Sequence, residues 1–189
     1  MSFSQYNQDL EVLQFHEAKQ NGFFVDIGAG QGIRDSNTYL FEYTHNWTGI
    51  CVEQNNSMFS LLCENRHRSI CSNVIVDSMT YESSYILRDD SGNEVNNVIR
   101  QHSTITDILD NNNSPSVIDY ISLNMSESSQ TAVEILNTID FTKYTFRLVS
   151  LSFSENTSQI QIQELFANNG YEFIKISDGT EWYMPSPTL

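Results

Sequence analysis

Asp26, Gly28, Gly30 and Gly32 stand at alternate positions in the stretch Asp26-Ile27-Gly28-Ala29-Gly30-Gln31-Gly32, directly behind the apolar run Phe23-Phe24-Val25. Glycine has no Cβ and accepts dihedrals that other residues avoid, so a strand ending in such a turn lets bare backbone approach a ligand closely. A helix that follows turns its unpaired N–H groups toward the same space. The pattern points to a nucleotide-like cofactor. Glu53 ends a second apolar run about twenty residues later, where a carboxylate can accept both ribose hydroxyls of such a ligand. The ordinary alternatives are a tight structural turn for the glycines and a solvated strand end for Glu53.

These residues need a scaffold, and the hydrophobic periodicity supplies one. Strands are expected at Gly22–Ile27, Thr48–Glu53 and Ser69–Val76, with helices at Ser36–Tyr43 and Ser57–Glu64 between and after the first two. Tyr81–Arg100 reads as a hairpin or long excursion around Asp90-Ser91-Gly92-Asn93. A weak helix at Thr104–Leu109 precedes the loop Asp110–Pro115. Strands at Val117–Leu123 and Phe146–Phe153 then alternate with helices at Ser128–Asn137 and Thr157–Asn168, the last stopped by Gly170. Tyr171–Ser177 and Glu181–Met184 flank the turn Asp178-Gly179, which is too short for a crossover, so this last pair must be antiparallel. Alternating strands and helices imply a mainly parallel sheet covered on both faces. The expected fold is therefore α/β and Rossmann-like with an antiparallel C-terminal hairpin. Residues 1–189 read as a single domain, with an N-terminal helical element over 1–21 and the core over 22–189.

Composition narrows the partners. Nine basic against 24 acidic residues give a formal net charge of −15, which argues against nucleic acid or an anionic membrane as the main partner. Any anionic ligand must be held by backbone dipoles or a few local cations. Cys51, Cys63 and Cys71 form no C-x-x-C pair, and Cys51 reads as a small buried hydrophobe. The chain shows no signal-peptide pattern and no membrane-spanning run, so an intracellular, cytoplasmic setting is expected. Its wealth of Asn and Ser fits an AT-biased genome, of which viral genomes are one kind.

The turn and the second-strand acid resemble those of class I S-adenosylmethionine-dependent methyltransferases, where a D-x-G-x-G-x-G turn holds the methionine end of the cofactor and the acid its ribose. Within that fold the chain resembles the FkbM-type methyltransferases almost from end to end. Phe3-Ser4-Gln5-Tyr6-Asn7-Gln8-Asp9 is similar to the family's S-Q-x-G-Q-D element, with Asn7 where glycine is usual. Phe24–Ala29 and Ser36-Asn37-Thr38 resemble F-V-D-I-G-A and S-N-T. Gly49–Asn55 resembles G-x-x-x-E-P-N, with Gln54 in place of proline. Ile118–Leu123 resembles I-D-Y-L-S-L, and Trp182-Tyr183 sits where the family ends in a W-Y pair. The resemblance implies S-adenosylmethionine held by Gly28, Gly30, Gly32, Glu53 and Asn124, with Asp26 fixing the turn. The implied acceptor is a sugar or another small hydroxyl compound.

Two segments depart from the family. Where it continues D-x-E-G-x-E, this chain reads Asn124-Met125-Ser126-Glu127-Ser128-Ser129; where it places E-H-N, the chain reads Ser152-Phe153-Ser154. A hydroxyl acceptor needs a base or a metal at these strand ends, and neither Asn124 nor Ser152 is a base at neutral pH. Glu127 is the best replacement, with Asp35 and Glu155 near the same rim; the plainer role for Glu127 is a helix first-turn acid. His16, His45, His67 and His102 read as solvent or packing residues, and no pair has metal-ligand spacing, so no metal is assigned. Tyr6, Tyr39, Trp182 and Tyr183 either line an acceptor pocket or pack. Two readings follow: an O-methyltransferase, or a degenerate methyltransferase fold that has lost turnover and acts as a binding or structural component of a larger protein assembly.

Overall fold

The computed structural model describes residues 1–88, 91–125, 129–153 and 159–187. Its elements run α1 (Gln8–Phe15), β1 (Phe23–Ile27), α2 (Tyr39–His45), β2 (Thr48–Val52), α3 (Asn56–Asn65), β3 (Ile70–Ser72), β4 (Ile75–Val76), β5 (Tyr81–Arg88) and β6 (Glu94–Ser103). There follow α4 (Ile105–Asn111), β7 (Val117–Ile118), β8 (Tyr120–Met125), α5 (Ser129–Leu136), β9 (Thr145–Phe146), β10 (Val149–Phe153), α6 (Gln159–Asn168), β11 (Tyr171–Ser177) and β12 (Thr180–Pro185). Seven strands form the main sheet in the order β11-β12-β10-β8-β1-β2-β3. β12 alone runs against its neighbours: it pairs antiparallel with both β10 and β11, while β10, β8, β1, β2 and β3 are joined by parallel pairings. This is the expected α/β, Rossmann-like sheet, with one refinement: the last strand inserts between β10 and β11 rather than extending the edge.

Alternation along the strands sends side chains to two hydrophobic layers. Val25, Ile50, Ile121 and Val149 pack with Ile105, Ile135, Ile162 and Phe166 from α4, α5 and α6. Phe24, Cys51, Tyr120 and Trp182 pack on the other face with Val12, Phe41 and Leu62 from α1, α2 and α3. Both faces are thus covered, which a parallel sheet requires. Cys51 is fully buried in the second layer, as its apolar surroundings in sequence suggest. Among the described residues no helix is long and apolar enough to cross a membrane.

Three expected elements differ in detail. The single strand expected at Ser69–Val76 is two strands in two sheets: β3 pairs with β2, whereas β4 pairs with β6 of a separate three-stranded sheet ordered β4-β6-β5. The switch falls at Asn73, whose Nδ2 donates to the Glu53 carbonyl at 2.7 Å and bends the chain there. The strand expected at Val117–Leu123 breaks at Asp119, whose carboxylate accepts from the Phe23 N–H at 3.0 Å and from Lys19 Nζ at 2.6 Å. The helix expected from Ser36 starts only at Tyr39, because Ser36 Oγ accepts the N–H groups of Thr38 and Tyr39 and Asp35 holds a left-handed φ of 58°. No helix therefore follows directly on the glycine turn in sequence.

Candidate cofactor and acceptor site

The turn after β1 is built from three glycines in the left-handed region, with φ of 77° at Gly28, 58° at Gly30 and 89° at Gly32. They serve different ends. Gly28 N–H and Ala29 N–H both donate to the Val52 carbonyl, at 2.9 and 3.0 Å, tying the turn to the end of β2. A Cβ on Gly28 would lie 2.3 Å from the Asn124 carbonyl oxygen, so β1 and β8 meet there only because the side chain is absent. A Cβ on Gly32 would lie 2.7 Å from Leu62 Cδ1 and 2.9 Å from Arg66 Cγ; its slot is filled by α3 and the residue that follows it. Gly30 has nothing within 4 Å of its missing Cβ. It alone of the three has open space where a Cβ would sit, although the Gly28 backbone is itself exposed.

Glu53 completes this cradle. Its Oε2 accepts the Gly30 N–H at 2.9 Å and its Oε1 accepts the Asn55 N–H at 2.7 Å, so the acid is fixed to the turn before any ligand arrives. A carboxylate has about four acceptor positions, and among the described residues two of them are filled, by these two N–H groups.

Behind the turn lies a buried polar network. Asp26 Oδ2 accepts from Thr38 Oγ1 at 2.7 Å, while Oδ1 is buried and has no partner within hydrogen-bond geometry among the described residues. Burial pushes this carboxyl above the usual carboxylate range, against the Thr38 hydrogen bond and the Arg66 charge, which pull it down. Arg66, 2% exposed, donates from Nε to Glu42 Oε2 at 2.8 Å and from its two terminal nitrogens to Thr38 Oγ1 at 3.0 and 3.1 Å. Its guanidinium also sits 5.2 Å from the Phe24 ring centre, within cation–π range. The network locks the irregular segment between the turn and α2. Asp26 thus faces inward, toward Thr38.

A cleft of about 290 Å³ opens beside the cradle, at the C-terminal ends of the strands. Asn124 of β8, Ser152 of β10 and Thr180 of β12 form its floor, with Asp178 and Gly179 from the last turn, Asp35 and Asn37 on one side, and Gln5, Tyr6 and Gln8 on the other. Ser152 Oγ and Thr180 Oγ1 lie 2.9 Å apart, and Gln8 Nε2 donates to Thr180 Oγ1 at 3.5 Å. Asp9, fully buried, shapes the N-terminal wall by accepting from Ser2 Oγ, Phe3 N–H and Ser4 Oγ at 2.6, 2.7 and 2.9 Å. The described lining offers amides, hydroxyls and two carboxylates, and no Lys, Arg or His.

The structure therefore brings Asp26, Gly28, Gly30, Gly32, Glu53 and Asn124 together at adjoining strand ends. Glu127, Ser154 and Glu155 lie outside the described residues. Of the aromatic candidates, Tyr6 lines the cleft, Trp182 and Tyr183 are buried, and Tyr39 stacks on Tyr43 at 5.6 Å. His16 packs against Trp47 at 5.5 Å and pairs with the Asp119 carbonyl. His102 pairs with Asp77 and Ser83 at 2.9 Å each, at the root of the β5–β6 hairpin. Sequence reading missed Arg66, which bears no motif, and the contact between Gln8 and Thr180, which joins residues 172 apart.

No family model and no curated protein matches the sequence. Solved structures do match. The METTL16 methyltransferase domain has a TM-score of 0.58 at 14% identity over 95% of this chain, which spans 66% of that one. The N-terminal domain of human METTL16, solved in complex with SAH, has a TM-score of 0.57 at 13% identity, with 94% of this chain and 67% of that one covered. A TehB-like SAM-dependent methyltransferase from Corynebacterium glutamicum has a TM-score of 0.54 at 12% identity, with 96% and 86% covered. At such identities the likeness carries the architecture, and this chain has the fold of the class I S-adenosylmethionine-dependent methyltransferases.

Proposed function

We propose that this protein binds S-adenosylmethionine in the cradle of Gly28, Gly30 and Glu53, and that the adjoining cleft seats an uncharged hydroxyl acceptor, a sugar in keeping with the FkbM resemblance. The observation that carries this reading is the pairing of an open Gly30 backbone with a Glu53 carboxylate already fixed to it. The residues present suit the cofactor: the glycine leaves room, and the acid has acceptor positions for ribose beyond the two filled among the described residues. When bound, the cofactor would supply a methyl group on a sulfonium centre. Asn124, Ser152 and Thr180 would orient the acceptor oxygen by hydrogen bonds, and placement would account for most of the rate. Asp35 and Asp178 at the cleft disfavour an anionic acceptor, in keeping with a chain of net charge −15.

The acceptor proton needs a base, for which Glu127 and Asp35 are the candidates. Replacement of the family's acids by Asn124 and Ser152 supports the second reading, a cofactor-binding module without turnover. Calorimetry with S-adenosylmethionine and S-adenosylhomocysteine separates the cases. Absence of binding at millimolar ligand overturns both. Binding together with methyl transfer to glycan acceptors, lost in Glu127→Gln or Asp35→Asn while affinity is kept, supports the enzyme and identifies the base. Binding without transfer to any acceptor supports the module.

A further inference from the structure

The β5–β6 hairpin belongs to a separate sheet from the main one, and among the described residues β5 is the edge strand of that sheet, with β6 on one side only. The hairpin shows large apolar side chains on both of its faces: Tyr85 and Leu87 on one, Ile86, Val95 and Ile99 on the other, between 46% and 65% exposed. A long, apolar, unpaired edge is a template for another strand, and proteins that stay monomeric usually blunt it with charge, proline or a bulge. Between Tyr81 and Leu87 the β5–β6 register is unbroken and holds no proline; the one irregularity falls at Leu87/Arg88.

From this edge we infer that the protein is a two-fold symmetric dimer in which β5 pairs antiparallel with β5 of a second copy, centred on Tyr85. The sequence of β5 is self-complementary about that residue. An antiparallel register with Tyr85 opposite itself sets Glu82 opposite Arg88 of the other copy, twice, and Ser84 opposite Ile86, twice. It also sets Ser83 opposite Leu87, and places the two Ile86 side chains diagonally across the junction, within reach of each other. A shift of two residues removes the ion pair: in one direction it sets Glu82 opposite Ile86, and in the other it carries Glu82 beyond the end of the partner strand. Charge therefore selects the register. A second copy suits the patch for an electrostatic reason as well: β5 and β6 carry Glu82 and Glu94 against Arg88 and Arg100, so the hairpin strands are neutral in a chain of −15. Arg88 already pairs with Glu94, and Glu82 accepts from Gln101, so both charged groups are held on the hairpin before association. A pairing of the seven residues 82–88 gives about seven ladder hydrogen bonds and, with the apolar side chains, buries on the order of 1,000 Å² in total, the lower end for a specific interface, consistent with micromolar affinity.

The test is the mass in solution by sedimentation equilibrium from 1 to 100 μM, with the full chain. The expected result is a concentration-dependent rise from 21.7 kDa to twice that value. Glu82→Lys, which sets like charges opposite each other at both ends, should weaken association at least tenfold, as should Arg88→Glu. The double variant Glu82→Lys/Arg88→Glu restores opposite charges and should recover association, a rescue that general misfolding of the hairpin would not give. A second probe is Tyr85→Cys in a Cys63→Ser background, which should form an intermolecular disulfide on mild oxidation. Monomeric mass across the range, or a dimer indifferent to Glu82→Lys, would overturn the inference.

Discussion

Replacing Gly30 by alanine tests the one glycine of the turn whose missing Cβ meets open space against the two whose missing Cβ would meet packed neighbours. At φ 58° an L-residue is disfavoured by roughly 1–2 kcal/mol, and the empty space around the new Cβ adds no clash. For a chain of 189 residues this lowers Tm by about 2–8 °C, well within a typical stability of about 5–15 kcal/mol, so the variant folds. The methyl group nevertheless projects into the space the cofactor backbone approach requires. Affinity for S-adenosylhomocysteine, read by calorimetry, should fall at least tenfold, about 1.4 kcal/mol or more. Gly28→Ala carries the same backbone penalty plus a Cβ 2.3 Å from a backbone oxygen of the central strand β8. Neither strand can yield without opening the ladder, so destabilisation should exceed about 4 kcal/mol, in the exceptional range for one substitution. Gly32→Ala meets side-chain atoms, Leu62 Cδ1 and the Arg66 stem, rather than backbone and should fall between, at about 2–5 kcal/mol from overpacking and backbone strain together. Thermal melts and calorimetry on the three variants decide the matter. A folded Gly30→Ala that binds S-adenosylhomocysteine like the wild type would refute the assignment of the cradle.

Glu53→Gln leaves one acceptor oxygen for the Gly30 and Asn55 N–H groups, so one charge-assisted hydrogen bond is lost; a stability loss of about 1.5–3 kcal/mol by urea unfolding is expected, with cofactor affinity falling in parallel. Arg66→Met strips the buried Glu42 of its cation and should destabilise by about 3–5 kcal/mol, and a change below 1 kcal/mol in the same assay would contradict the role given to this pair. Asp26→Asn tests the buried carboxyl through pH. Its folded pKa lies above 3.8, so the native state keeps a proton that the unfolded chain has lost; the stability this provides is present below about pH 4 and declines as pH rises toward the folded pKa. Urea unfolding of wild type and variant across pH 4–8 should show the variant gaining relative to wild type as pH rises, and a constant gap would contradict the raised pKa.

What the sequence made legible were the features governed by local rules. Strand positions followed from runs such as Phe23–Ile27 and Thr48–Val52, and the antiparallel final pair followed from the short turn at Asp178-Gly179. The glycine turn and Glu53 were legible by type and spacing. The different duties of Gly28, Gly30 and Gly32 were not, because each depends on what a neighbouring strand or helix places opposite the missing Cβ. Arg66 was silent because its partners Thr38 and Glu42 lie 28 and 24 residues away and follow no periodicity. The late start of α2 was missed because Ser36 captures two backbone N–H groups before the helix begins, a competition between side chain and backbone that propensity does not resolve.

The contact between Gln8 and Thr180 has a consequence for the order of events during synthesis. One wall of the cleft is made 172 residues before its partner in β12, and β12 must wedge between β10 and β11 to bring Thr180 into place. The cofactor cradle, by contrast, is complete once β8 has joined β1 and β2. A nascent chain can therefore assemble the glycine turn long before the cleft beside it has both walls, so the two halves of the candidate site mature at different times.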